Sequence, residues 1–172
     1  MSDVPRDDRP FTAAVLTISD RASTGETEDR SGPLLLELLG AAGFRVVATT
    51  ILPDERTEIG DRLRTWADRD RVALICTTGG TGLAPRDVTP EATRDILERE
   101  APGIAEAMRL ASLPITPLAM LSRAVAGVRR QTLIVNLPGS PKAVRECFAI
   151  IAPVLRHAVE LIEGAASPHQ LT

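Results

Sequence analysis

Val72–Pro90, VALICTTGGTGLAPRDVTP, is the stretch from which the fold can be read. Its apolar opening, Val72 to Cys76, has the length and character of a buried strand. Thr77 and Thr78 follow, then Gly79-Gly80-Thr81-Gly82, where missing Cβ atoms allow positive φ and let a ligand approach the backbone closely. Arg86-Asp87 comes next. Thr89-Pro90-Glu91 then reads as a helix start, with Thr89 as N-cap and Pro90 at the first helical position. Strand, glycine loop, acid and helix N-terminus in succession are how an open α/β sheet builds an anion-binding crevice at its strand ends. Glycine-rich turns also join strands to helices without binding anything, so on local spacing alone both readings stand. The loop has no Gly-Lys-Ser/Thr and does not complete a GxGxxG. A nucleotide there would be held by backbone amides and threonine hydroxyls.

Outward from this stretch the same grammar repeats. Ala13–Ser19 is a first buried strand, ending at Ser19-Asp20-Arg21, and Ala22–Arg30 is a polar loop long enough to bind something. Ser31-Gly32-Pro33 starts a helix with Leu34, Leu35, Leu38 and Leu39 on its apolar face and Gly43 as terminator. Arg45–Leu52 is a second strand, and a helix over Glu55–Ala67 places Ile59, Leu63 and Trp66 on one side. This β-α-β-α-β order predicts an α/β fold: a mostly parallel open sheet with helices on both faces. Helices are expected over Pro90–Glu100 and Ile104–Leu113, followed by an added β-hairpin of Ala124–Val128 and Thr132–Leu137. Ser140 as N-cap and Pro141 at N1 open a closing helix that runs to about Glu163, with Gly164 as terminator. On this reading residues 1–172 form one domain, with residues 1–10 and 165–172 as flexible ends.

Composition excludes several function classes. Net charge is −3 and the sequence pI about 5.5, and the only aromatics are Phe11, Phe44, Trp66 and Phe148. Neither a basic grip nor a stacking platform for nucleic acid is present. Cys76 and Cys147 lie 71 residues apart with no metal-ligand spacing, so both read as buried thiols. The charged opening MSDVPRDDRP and the lack of a long apolar run point to a cytoplasmic protein with no membrane span. His157 and His169 are the only histidines, and His169 falls in the C-terminal end. Chemistry must then come from carboxylates, a divalent metal, hydroxyls and backbone amides.

In a doubly wound sheet ligands bind beyond the carboxyl ends of the strands. Those ends are Ser19-Asp20, Pro53-Asp54, Thr78 to Asp87, and Asn136 to Ser140. Asp54 and Asp87 thus share one edge, where paired acids beside a glycine loop could hold Mg²⁺ together with substrate phosphates. Asp54 reads equally well as the N-cap of the helix after it. Ser122-Arg123 pairs a hydroxyl with a guanidinium, which suits a phosphate, though an ordinary surface arginine fits too. Ser140 at a helix start offers free amides or a plain cap.

TTGGTGLAPRDVTPEAT, LSRAVAG and LIVNLPGSPKAV, with TISDRAS and LPDE before them, closely resemble the MogA/MoaB family of molybdenum cofactor biosynthesis, and also the G domain of gephyrin. The likeness runs from about Ala13 to Gly164, and the APRDVTPEAT run looks like the MogA and gephyrin type. The resemblance implies a molybdopterin-binding α/β fold, a homotrimer, and a molybdopterin adenylyltransferase that moves AMP from Mg-ATP to molybdopterin with release of pyrophosphate. A separate molybdenum-insertion protein would take the product. The family's functional aspartates fall on Asp54 and Asp87, expected as catalytic residues and Mg²⁺ ligands, and the serine of its LSR motif falls on Ser122, expected as a third catalytic residue. Substrate contacts are expected from Ser19, Asp20, Ser31, Thr78, Gly79, Gly80, Thr81, Gly82, Arg123, Pro138, Gly139 and Ser140. The alternative is a non-catalytic pterin carrier or scaffold of the MoaB kind.

Overall fold

The computed structural model describes residues 10–164. The expectations for the two chain ends and for His169 therefore lie outside the described residues, apart from Pro10. Six strands form one sheet in the order β2-β1-β3-β6-β5-β4. These are β1 (Thr12–Ile18), β2 (Arg45–Leu52), β3 (Leu74–Thr78), β4 (Arg99–Glu100), β5 (Ala126–Arg129) and β6 (Thr132–Leu137). The first three and β6 run parallel, and β5 and β4 are added antiparallel. The mostly parallel sheet and its hairpin are as the sequence predicts.

Strand side chains alternate between two cores, as the pleat requires. Ala13, Val15, Leu74, Cys76, Leu133 and Val135 face α2 (Ser31–Ala41), α5 (Pro102–Ser112) and α6 (Pro141–Ile162). Ala14, Leu16, Ile18, Ile75 and Ile134 face α3 (Arg56–Arg64) and α4 (Thr89–Arg94). Because both faces are covered, β1, β3 and β6 are buried almost end to end and read as mostly apolar runs. Each large side chain buried this way contributes about 1.5–3 kcal/mol. Parallel registers bring Ile18 beside Leu52, Thr17 beside Thr78, and Thr78 beside Leu137. Four strands thus end along one line, and their loops emerge together.

Several boundaries differ from expectation, each for a tertiary reason. The third strand begins at Leu74 and runs through Thr78. The Thr12 hydroxyl accepts from the Ala73 amide at 3.1 Å, and the Thr132 hydroxyl donates to the Val72 carbonyl at 2.7 Å, so side chains satisfy the backbone before pairing starts. The helix expected over Pro90–Glu100 stops at Arg94. There the free edge of β5 competes for the chain: the Glu98 amide donates to Val128 O, and the Ala101 amide to Ala126 O. Helix α4 is also entered from Val88, with Thr89 inside it. Helix α3 is entered from Glu55, which makes no side-chain cap, and it widens into a π turn at Thr65–Arg69 that buries Trp66. Part of the loop after β1 coils into a short helix, α1 (Asp20–Ser23), capped by the Ser19 hydroxyl. The segment Pro117–Leu121 is a 3₁₀ turn capped by Thr116.

Candidate functional site

The loop after β3 turns sharply because Gly79 and Gly80 hold φ of 100° and 64°. A Cβ on Gly79 would strike the Ile18 carbonyl, so the glycine lets β3 and β1 end side by side. The turn is anchored from beneath by a buried polar chain. The Thr89 hydroxyl donates to Gly79 O at 2.9 Å, and the Thr89 amide donates to Gly80 O at 3.1 Å. The Thr93 hydroxyl donates to Thr89 O and accepts from Asn136, whose amide nitrogen also reaches the Thr77 hydroxyl, both at 3.0 Å. Asn136 is fully buried, and its oxygen accepts from the Val125 amide. A satisfied network of this kind rigidifies what it touches.

Asp54 and Asp87 converge on this loop from different strands. Asp54 does not cap α3. Its Oδ2 accepts from the Asp20 amide at 2.9 Å, while Asp20 Oδ1 accepts from the Asp54 amide at 3.0 Å, a reciprocal clasp between the ends of β1 and β2. Asp54 Oδ1 lies where a Cβ on Gly80 would come within 2.9 Å of it. Asp87 Oδ2 accepts from the Ala84 amide at 3.0 Å and would lie 2.8 Å from a Cβ on Gly82. Both carboxylates therefore press on glycines of one loop. Burial, with the nearby charges of Asp20 and Asp87, pushes the Asp54 carboxyl above the usual carboxylate range, against the lowering effect of the Asp20 amide. The Arg86 guanidinium grips Asp20 through two 2.9 Å bonds and holds its carboxyl low, and it also reaches Glu55 at 2.8 Å.

Two clefts flank the loop. The first, about 400 Å³, is polar and is lined by Thr17, Ser19, Asp29, Ser31, Asp54, Thr78, Gly79, Gly80, Asp87 and Gly139. The second, about 330 Å³, is mostly apolar and is lined by Thr81, Gly82, Met108, Ser112, Leu118, Leu121, Ser122, Pro138, Ser140 and Cys147. Their common wall is the glycine loop together with the turn between β6 and α6. That turn is tied down by the Thr78 hydroxyl donating to Pro138 O and the Ser31 hydroxyl donating to Gly139 O, both at 2.6 Å.

The structure thus brings together most residues singled out from sequence, but splits them. Ser19, Ser31, Asp54, Thr78, Gly79, Gly80, Asp87 and Gly139 line the polar cleft, whereas Thr81, Gly82, Ser122, Pro138 and Ser140 line the apolar one. Asp20 stands beside the first, clasped to Asp54. Arg123 lines neither cleft, its guanidinium being engaged by the protein. Sequence reasoning gave no role to Asp29, which accepts from the Thr17 hydroxyl and from the Ser31 and Gly32 amides. An aspartate just before a Ser-Gly-Pro helix start was the available signal. It also missed Met108, Ser112 and Cys147, which only the packing of α5 on α6 brings to the cleft. Burial pushes the Cys76 thiol up to about 12, and Cys147 is raised for the same reason, so neither is a thiolate nucleophile. Among the described residues no cluster of three or more His, Cys, Asp or Glu could enclose a metal, and no helix is long and apolar enough to cross a membrane.

Comparison with known proteins identifies the family. Residues 14–157 match the family model described as a probable molybdopterin binding domain. The chain is 50% identical over 154 residues to the molybdenum cofactor synthesis protein cinnamon of Drosophila melanogaster, covering 88% of this chain and 26% of that protein. It is 44% identical over 152 residues to the molybdopterin adenylyltransferase of Helicobacter pylori strain J99, covering 87% of this chain and 86% of the relative. It therefore spans about a quarter of the one and most of the other. The crystal structure of the molybdopterin biosynthesis enzyme MoaB from Thermus thermophilus superposes with a TM-score of 0.85 at 53% identity, covering 90% of this chain and 97% of that one. With the family match spanning most of the chain and the fold and glycine loop in place, this protein belongs to the MogA/MoaB family of molybdopterin-binding domains.

Proposed function

We propose that this protein is a molybdopterin adenylyltransferase, joining AMP from ATP to the phosphate of molybdopterin with release of pyrophosphate. The observation that carries the reading is the convergence of Asp54 and Asp87 on the glycines of a single strand-end loop. A carrier of an anionic pterin gains nothing from two carboxylates facing its ligand, whereas a site that handles a cation and phosphates does. The relative of matching length and 44% identity carries the name of this activity.

The chain's residues suit a hard divalent cation. Each acid has one oxygen held by a backbone amide, Asp54 by Asp20 and Asp87 by Ala84, which leaves the other for a ligand. Burial and neighbouring negative charge already disfavour the ionised form of Asp54, a situation that a cation relieves. Two carboxylates with substrate phosphates and water complete the coordination that Mg²⁺ prefers. Mg²⁺ held by Asp54 and Asp87 would neutralise charge on the phosphates.

The reaction is then one of placement. A phosphate oxygen of molybdopterin attacks the α-phosphorus of ATP, the bond from that phosphorus to the bridging oxygen breaks, and pyrophosphate departs with the electron pair. Among the described residues the amides of Gly80, Thr81 and Gly82 donate to no protein acceptor, so they are available to charged oxygens at the junction of the two clefts. The two ring systems, joined through phosphates, diverge into the clefts on either side. The buried Asn136–Thr93–Thr89 chain holds the loop still, so the substrates meet a prepared site. No covalent enzyme intermediate is involved. We read the working form as a cytoplasmic homotrimer that delivers its product to a separate molybdenum-insertion protein.

Pyrophosphate release from Mg-ATP, with and without purified molybdopterin, tests the assignment. Pterin-dependent release that falls on the order of 10²–10³-fold in Asp87→Asn is the expected result. Tight pterin binding without release in the wild type would instead make the protein a carrier.

A further inference from the structure

Arg123 lies between Ser122 and Ala124, both of which line the apolar cleft, yet it lines neither cleft itself. Its side chain runs under the glycine loop. Nε donates to Gly82 O at 2.7 Å, and Nη2 donates to Asp87 O at 2.6 Å. Nη1 and Nη2 both donate to the Glu91 carboxylate in the first turn of α4. The Arg123 amide adds a bond to Thr81 O at 2.9 Å. One residue therefore ties the start of the loop at Thr81-Gly82, its end at Asp87, and the helix that follows.

We propose that Arg123 is a positioning residue of the transfer site, closing the neck of the Gly82–Asp87 loop so that Asp87 and the glycine backbone hold the shared wall of the two clefts. This rests on the adenylyltransferase reading and assigns Arg123 an indirect part in it. The chemistry suits the task. A guanidinium is a planar fork with five donors, able to satisfy two carbonyls and a carboxylate at once, whereas an ammonium is a point charge that cannot span them. The loop residues Leu83–Arg86 are exposed, so they have little packing of their own to fix their place. The side chains of Arg123 and Glu91 are only 32% and 31% exposed, which makes theirs an internal tie. The second arginine of the region, Arg86, is 56% exposed and holds the loop tip from outside.

The test uses the full chain as wild type, Arg123→Lys and Glu91→Gln, with turnover normalised to folded protein by thermal melting. Wild-type pyrophosphate release comes first, since its absence would fail the functional reading and leave Arg123 to be judged by amide hydrogen exchange of residues 82–87. For Arg123→Lys the expected result is a fall in kcat on the order of 10–100-fold with smaller changes in both KM values, together with faster exchange across that loop. Glu91→Gln keeps the two carbonyl bonds and should show the same pattern more weakly, which guards against an Arg123 variant that fails to fold. Unchanged kcat and unchanged loop exchange in Arg123→Lys would overturn the proposal. A loss confined to the KM of one substrate would also overturn it, because that is the signature of direct ligand contact.

Discussion

The two clefts share a wall and differ in almost everything else. On one side the ends of β1 and β2 supply Ser19, Asp54 and the Asp20 clasp, with Asp29 from the loop before α2 and Ser31 from the start of that helix. On the other side α5, the 3₁₀ turn and α6 supply Met108, Leu118, Leu121 and Cys147. The charged half is built from strand ends, where a parallel sheet exposes backbone polar groups in one line. The apolar half is built from helix side chains at the edge of the core: Met108 and Cys147 are buried, whereas Leu118 remains 69% exposed there. The contrast teaches how the fold sorts its surface: acids and hydroxyls gather where strand ends converge, and the helical side offers shape and apolar surface.

That division can be broken most sharply at Asp54. Replacing it with Asn should cut pyrophosphate release on the order of 10²–10³-fold, because a carboxylate at the proposed phosphate junction is lost while the Asp20 amide keeps an oxygen acceptor. The same variant should melt at a higher temperature than wild type at neutral pH. Burial raises the folded-state carboxyl above its ordinary 3.8, so ionised Asp54 costs stability. That cost is absent below the ordinary value, sets in as pH rises, and is complete above the folded-state value. The melting difference should therefore vanish in acid, and a lower melting temperature at pH 7 would contradict the account. Gly80→Ala should come next, with a loss of activity on the order of tenfold or more, because the new Cβ meets the Asp54 carboxylate at a residue that also requires positive φ. Steady-state turnover against melting temperature separates that displacement from simple unfolding. Smallest is Leu118→Ser, which should raise the KM of one substrate several-fold while sparing kcat and the other KM, since its side chain touches only the apolar cleft. A fall in kcat instead would mean that the clefts are not separable.

The comparison also shows which parts were readable in advance. The charged half was legible because the strands are short apolar runs bounded by turn residues, so Asp54 and Asp87 could be placed on one edge without coordinates. Arg45–Leu52 and Thr132–Leu137 are strands over those same residues. The helical half was not legible. Met108 and Ser112 carry no signal in the sequence, and Cys147 reads only as a buried thiol, until α5 packs against α6. The expected helix to Glu100 failed for a related reason, because the pull of a β5 edge on Glu98 and Ala101 is invisible to local propensity. Arg123 was seen but given a ligand-facing part, and sequence holds no sign of which way a guanidinium turns.

The most direct test of the central claim is a crystal structure with Mg²⁺ and an ATP analogue that cannot be cleaved between its α- and β-phosphorus. The account predicts the metal bound to Asp54 and Asp87, with the α-phosphate against the amides of Gly80–Gly82 at the junction of the two clefts. Phosphates bound elsewhere, with both carboxylates unliganded, would contradict it.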